Sequence, residues 1–258
     1  MGRIEEAFRM GKVFVPFITC GFPDIYTTKE CVKEAVRNGA DIIEFGIPFS
    51  DPVAEGPVIQ NANAAALEGG VTTDMCFEAV RELRQETDIP FVFMTYSNIV
   101  FSYGIGRFAA KCKDTGIDGL ILPDLPFEEK GEFHPLCKKY GVELISLIAP
   151  TSEKRISMIA KEAEGFIYIV SSLGVTGMRN EITTDVGSIV KIVRENTDIP
   201  CAVGFGIKTP EQAQEMAGAS DGVIVGSAII SIIEKSGKNA PEKVGEYVSD
   251  MKAAISGS

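Results

Sequence analysis

Two glutamates in one short stretch, EFGIPFSDPVAEGP at residues 44–57, carry the first chemical signal. Glu44 falls in a run that opens Asp41-Ile42-Ile43 and reads as a buried strand. An ionised carboxylate costs several kcal/mol to bury unless a partner offsets it. Either a cation on a neighbouring strand pairs with Glu44, or Glu44 does chemistry. No Lys or Arg lies in any of the apolar runs that read as strands, so the pairing alternative lacks a partner. In an apolar interior the carboxyl pKa rises, which suits a general acid/base near neutral pH. Glu55 lies in the loop SDPVAEGP. Alone it reads as a solvated loop charge; together with Glu44 it would flank one substrate. Asp51-Pro52 in the same loop reads as turn chemistry.

A second set of residues suits a phosphate. Gly177 follows the sixth apolar run, Gly204-Phe205-Gly206 ends the seventh, and Gly226-Ser227 ends the eighth and opens the helical stretch AIISIIEK. Each glycine alone is an ordinary turn residue. At the ends of consecutive strands they let backbone approach an anion, and a helix N-terminus adds N–H groups and dipole. Tyr168 interrupts an apolar run and stands open between a core tyrosine with a satisfied hydroxyl and a site residue. Phe17 and Phe205 are either plain core or the walls of an apolar pocket.

The remaining composition narrows the classes. Over 258 residues the formal net charge is −11, which argues against nucleic acid or an anionic membrane as partner. It leaves room for a phosphorylated small molecule. The N-terminal MGRIEEAFRMGK is too charged for the core of a signal peptide, and no run is apolar enough to span a bilayer, so a cytoplasmic protein is expected. The six cysteines form no CxxC pair and read as free thiols in a reducing compartment. The single histidine, His134, reads as a surface residue, and a His-rich metal site is excluded. The absence of strand lysines argues against a Schiff-base aldolase. What remains is carboxylate acid/base chemistry on a phosphate-bearing substrate with an apolar end.

The elements that must position these residues repeat one pattern: a polar helical segment, then a short apolar strand. The strands read 14–20, 41–48, 91–97, 119–125, 143–149, 165–172, 201–206 and 222–227. They are continuous apolar runs, as parallel strands covered on both faces require. Thr27 with Glu30 fits a capping box, as do Thr209 and Gln212 around Pro210; Asn38-Gly39 and Gly116 read as helix stops. Eight such units give a (β/α)8 barrel or a doubly wound sheet. The count favours the barrel, a TIM barrel of the α/β class, and no GxGxxG follows the first strand. The expectation is one domain over 1–258, with an extra N-terminal helix and long connections after strands two (49–75) and six (173–187).

The blocks FVPFITCGFP, EFGIPFSDPVAEGPVIQ, TYSNIVFSYG, LILPDLPFEE, VSSLGVTG, VGFGI and VIVGSAI, in this order across the chain, resemble the alpha subunits of tryptophan synthase. The 44–60 block is specific to that family; GFGI and GSA occur in other phosphate-binding barrels. The resemblance implies cofactor-free retro-aldol cleavage of indole-3-glycerol phosphate to indole and glyceraldehyde 3-phosphate. It places the general acid/base on Glu44 and a second carboxylate, facing the indole N–H, on Glu55. It implies that Phe17 lines the indole pocket, that Tyr168 helps hold the site, and that Thr176 orients the second carboxylate when the 173–187 loop closes. Gly177, Gly206, Gly226 and Ser227 would hold phosphate.

The chain departs from the family at one point, with Glu55 where the motif normally has Asp. The charge is kept and the reach grows by one methylene. A misplacement on the order of 1 Å can cost on the order of 10²-fold in rate, so a shifted loop, a slower enzyme and an altered task all stay open, with retained lyase activity favoured. The resemblance also implies a partner, the pyridoxal-phosphate beta subunit, in an alpha2beta2 complex. The contact would lie around Pro48–Pro52 and 96–104, and this chain itself would bind no pyridoxal phosphate. The rivals are a stand-alone lyase releasing free indole, a sugar-phosphate isomerase, and a weakly active barrel that regulates a beta subunit.

Overall fold

Each apolar run supplies one parallel strand: β1 Val13–Thr19, β2 Ile43–Gly46, β3 Phe91–Met94, β4 Gly119–Ile121, β5 Glu143–Ile148, β6 Ile167–Val170, β7 Cys201–Gly204 and β8 Gly222–Val225. The strands pair in sequence order and β8 returns to β1, so the sheet closes into a barrel and the doubly wound alternative falls. The structure, a computed structural model, describes residues 2–171 and 185–257. All strands but β1 are shorter than the runs that announced them. Single backbone hydrogen bonds still join neighbouring segments just past several strand ends, as from the Cys20 N–H to the Gly46 carbonyl and from the Ile47 N–H to that of Met94, and these residues stay buried.

The helices are α1 Arg3–Arg9, α2 Ile25–Arg37, α3 Pro57–Glu68, α4 Thr73–Leu83, α5 Ser97–Tyr103, α6 Ile105–Thr115, α7 His134–Tyr140, α8 Glu153–Ala160, α9 Val186–Arg194, α10 Pro210–Ala219, α11 Ser227–Ser236 and α12 Ala240–Ser256. The long connection after β2 is a loop followed by α3, one helix more than the repeat needs before α4. Most of the expected 173–187 loop lies outside the described residues.

Local signals explain most boundaries. Thr209 and Gln212 form the expected reciprocal cap of α10. Asn38 ends α2, and Gly116 ends α6 in the left-handed conformation that glycine tolerates. The capping box expected at Thr27 and Glu30 is corrected: α2 begins earlier, and the Asp24 carboxylate accepts from the Thr27 N–H at 2.7 Å. An ionised carboxylate is the stronger acceptor for the orphan N–H groups of a first turn. His134 is likewise not free on the surface: its Nε2 lies 2.7 Å from Glu164, and the side chain is half-buried. All six cysteines are free and buried. Among the described residues no helix is long and apolar enough to cross a membrane.

The N-terminal end of the barrel is clamped by aspartates at the entries of β2, β4 and β8. Each accepts from a backbone N–H of the preceding strand: Phe14 to Asp41 at 2.7 Å, Phe91 to Asp118 at 2.9 Å, and Cys201 to Asp221 at 2.8 Å. Each is matched by a cation, Lys252 on Asp41, Arg3 and Arg84 on Asp118, and Arg194 on Asp221. Such charge-assisted bonds fix where pairing begins. Helix α1 covers the same end. Ile4 is buried, and Phe8 packs on Phe166 with ring centroids 5.7 Å apart. Gly119 makes room for it, since a Cβ there would meet Ile4 at 3.2 Å.

Residues in register on parallel strands point the same way. Following the register, Phe17, Glu44, Val92, Gly119 and Glu143 share the inner face. The barrel therefore holds a second inward glutamate, at its N-terminal end. Glu143 Oε2 is buried without a hydrogen-bond partner. It packs so close to Gly165 that a Cβ there would lie 2.2 Å away, and Gly165 has φ +65°. Burial pushes its pKa from 4.5 to about 7, with Glu164, Asp118 and Glu5 adding repulsion. The folded state thus holds this proton more tightly than the unfolded chain. The contribution is complete below pH 4.5 and is lost as the pH rises through about 7. Thermal melts from pH 5 to 8 are expected to show this loss, and Glu143→Gln is expected to flatten it and to melt higher than the parent at pH 8. An unchanged slope in the variant would remove Glu143 from the account.

Candidate active site

The carboxylates sit at the opposite, C-terminal end. Glu44 is the second residue of β2 and 1% exposed. Its Oε2 has no hydrogen-bond partner, and among the described residues no cation pairs with it. Burial raises its pKa from 4.5 to about 8, and the charge of Glu55 adds to the rise. At neutral pH Glu44 is mainly a neutral acid inside an apolar wall, able to give a proton and take it back.

Two glycines shape the space beside it. Phe17 is the register partner of Glu44 on β1. A Cβ on Gly46 would come within 2.5 Å of the Phe17 ring, and one on Gly226 within 3.2 Å. The ring lies in the gap these glycines leave, next to the carboxyl group, as a wall for an apolar substrate would.

Glu55, 6% exposed, is held from several sides. The Tyr96 hydroxyl donates to its carboxylate. The same hydroxyl oxygen accepts from the Ala54 N–H at 2.9 Å, and Gln60 Nε2 donates to the Glu55 carbonyl at 2.8 Å. Tyr96 stacks on Phe49 at 4.8 Å between centroids. The next residue, Ser97, is pinned by Asp124, to which its N–H donates at 2.9 Å and its hydroxyl at 2.6 Å. Burial raises the Glu55 pKa, the Tyr96 bond opposes that rise, and Asp124 adds to it.

Tyr168 on β6 is buried and on the inner face, where burial first and then Glu44 and Glu55 hold its hydroxyl well above the usual range. Gly204 on β7 is the reason it fits, since a Cβ there would lie 2.4 Å from the Tyr168 oxygen. Phe205 packs edge-on against Tyr168 at 6.0 Å. It takes φ +74°, strained for a bulky residue. The Ser171 hydroxyl, at 2.9 Å from the Gly204 carbonyl and 2.5 Å from that of Phe205, fixes this turn. Gly206 follows with φ +82°. Gly226 precedes α11 and Ser227 is its first residue; among the described residues no side chain caps this N-terminus. A cavity of ≈520 Å³ opens at the same mouth, walled by Ala54, Leu122, Leu147, Val170 and Phe205. It lies over β4 and β5 rather than directly on the two carboxylates.

Of the residues singled out in the sequence, Phe17, Glu44, Glu55, Tyr168, Phe205, Gly206, Gly226 and Ser227 all meet at this mouth. Thr176 and Gly177 lie outside the described residues. Sequence reading passed over Tyr96 and Asp124. Their signal was present: each is polar and stands at the C-terminal end of an apolar run, the place where barrel loops present functional groups.

Fold and site together define a (β/α)8 barrel with two buried carboxyl groups at its C-terminal mouth, an arrangement suited to acid/base chemistry. The profile of the tryptophan synthase alpha chain matches residues 6–256. The alpha chain of Lacticaseibacillus casei is 47% identical over 255 residues, with 99% of this chain and 96% of the relative covered. That of Thermoanaerobacter sp. strain X514 is 45% identical over 263 residues, with 99% and 100% covered. The solved structure of the alpha subunit from Legionella pneumophila str. Paris superposes with a TM-score of 0.90 at 34% identity, covering 100% of both chains. The chain belongs to the tryptophan synthase alpha chain family, whose members are carbon–carbon lyases.

The tight fit at Gly204 yields a test. Gly204→Ala is expected to cost about 1–3 kcal/mol of unfolding free energy by overpacking against Tyr168, measured by urea titration. Parent-like stability would show that the Tyr168 ring is free to move aside.

Proposed function

We propose that this chain cleaves indole-3-glycerol phosphate by a retro-aldol reaction in which Glu44 is the general acid/base and Glu55 the partner of the indole N–H. The carrying observation is Glu44 itself, a buried carboxyl group on the inner face, without a cation among the described residues, with its pKa raised to about 8. In the proposed sequence Glu44 gives its proton to the indole carbon that bears the glycerol chain. The ring then carries positive charge, which the ionised Glu55 stabilises at the N–H. Glu44, now a carboxylate, takes the proton of the neighbouring glycerol hydroxyl. The bond between ring and chain breaks, its electron pair restores the aromatic ring, and the hydroxyl carbon becomes the aldehyde. The proton count closes on Glu44, and no cofactor enters.

In this reading Phe17, Tyr168 and Phe205 wall the indole ring. Gly206, Gly226 and Ser227 receive the phosphate, supported by the uncapped N-terminus of α11 and the positive φ of Gly206. By the family resemblance alone, Gly177 joins the phosphate site and Thr176 orients the Glu55 carboxylate. A single barrel domain over residues 1–258, acting in the cytoplasm, completes the reading. The partner is a pyridoxal-phosphate beta subunit in an alpha2beta2 complex, docked on the C-terminal face, where Val53 and Phe101 are 71% and 64% exposed.

The test is release of indole from indole-3-glycerol phosphate by the purified chain, alone and with a beta subunit. Cleavage is expected in both cases and faster with beta, and Glu44→Gln is expected to reduce it by at least about 10²-fold. Full activity in that variant would remove Glu44 from the mechanism, and lack of stimulation by beta would remove the partner.

A further inference from the structure

Two neighbouring carboxyl groups in an apolar site do not ionise together, and the proposed reaction needs one proton between them. We infer that Tyr96 is the positioning residue that decides its place: its hydroxyl keeps Glu55 as the ionised partner and so leaves the proton on Glu44. The inference deepens the lyase reading and takes the roles of the two glutamates from it.

The argument is an asymmetry of donors. A phenol has one hydrogen to give. The Tyr96 oxygen already accepts from the Ala54 N–H at 2.9 Å, and its hydrogen goes to the Glu55 carboxylate. Glu55 is thereby an acceptor, the role of an ionised carboxylate. Among the described residues Glu44 receives no such donor, and its Oε2 is buried and bare. Hydrogen bonds to the charged form favour it; burial without one disfavours it. The groups that face Glu55 are Tyr96 at the entry of α5, Asp124 after β4, Glu44 on β2 and Tyr168 on β6. Those facing Glu44 are Glu55, Tyr168 and the uncharged Phe17. Among the described residues none is a cation; the Glu55 backbone N–H also favours its ionised carboxylate, but less than Tyr96 does, so the Tyr96 hydroxyl is the side chain that separates the two glutamates.

Tyr96 is itself fixed. Its ring lies on Phe49, and the backbone beyond it is tied to Asp124 through Ser97. The hydroxyl therefore presents its hydrogen in one direction, and Glu55 has the length to meet it.

The test is Tyr96→Phe, which keeps the ring and removes the donor. Two readouts are taken: the pH profile of kcat/KM for indole release, and the carboxyl 13C titrations of Glu44 and Glu55 in glutamate-labelled protein, assigned with Glu44→Gln and Glu55→Gln. In the parent the acid limb reports Glu55 and the alkaline limb Glu44. In the variant the Glu55 midpoint is expected to rise and the Glu44 midpoint to fall, because a less ionised neighbour repels less. The bell narrows from both sides, and kcat at the optimum falls about tenfold with KM little changed. A uniform loss of rate with both limbs and both 13C midpoints unmoved would overturn the inference and leave Tyr96 a packing residue. The 13C titrations stand without any activity. If Glu44→Gln cleaved at full rate, the lyase roles would fail while the 13C midpoints still judged Tyr96. A melting temperature within a few degrees of the parent confirms that the variant is folded.

Discussion

A carboxyl group that no cation among the described residues answers lies on the inner face of the barrel, and the C-terminal end of the molecule is arranged around it. Ionised and unpaired, Glu44 would cost several kcal/mol. The protein avoids that cost by keeping the group protonated, which its raised pKa expresses. The neighbours are consistent with a neutral acid. They are an aromatic ring at Phe17, a glycine at Gly46 that lets the ring approach, and a tyrosine at Tyr168 that fits because Gly204 lacks a side chain. A cation placed here would stabilise the carboxylate and lower its pKa, and the acid would no longer work near neutral pH.

The two ends of the barrel handle charge in opposite ways. At the N-terminal end Asp41, Asp118 and Asp221 each hold a backbone N–H and each meet a cation. Charge there is satisfied and sets the start of strand pairing. At the C-terminal end charge is left incompletely satisfied, and that is where chemistry is possible. The division matches the general behaviour of such barrels, stability below and reaction above. Glu143 is the exception at the lower end, a bare carboxyl oxygen under α1. Its raised pKa resembles that of Glu44, yet it lies at the covered end of the barrel, away from the mouth where such barrels react, so a perturbed titration alone does not mark a site.

Much of this was legible in the residues. Continuous apolar runs announced eight parallel strands, and the lack of strand cations announced that Glu44 would be unpaired. The glycines at the ends of β7 and β8 announced turns, and the chain turns at both, with a positive φ at Gly206 and with Gly226 leading into α11. Strand ends were misjudged because an apolar run does not mark where regular pairing gives way to a buried turn, as at Cys20 and Ile47. Tyr96 was passed over because its role depends on the meeting of two loops, one after β2 and one after β3, and no spacing along the chain encodes that. Glu143 was passed over because its inward direction follows from register, which alternation in so short a strand leaves undetermined. The cap of α2 moved to Asp24 because two adjacent capping signals compete and the charged one prevails.

The glutamate at position 55 is best understood through the same meeting of loops. The family resemblance leads one to expect the shorter aspartate, and a longer side chain in a buried site would ordinarily be a liability. Here its extra length ends on a fixed hydroxyl, which is in turn held by the Ala54 N–H from the residue just before it. The loop after β2 thus meets Tyr96 twice, by its backbone and by its carboxylate. A site losing its function would be free to fill the space at Gly46 and Gly204 and to pair or replace Glu44. Instead those spaces are kept, Glu44 stays bare, and the longer carboxylate has a partner. In the proposed reading the substitution is a local adjustment of reach, with the sign of the second charge kept and its carboxylate met by Tyr96.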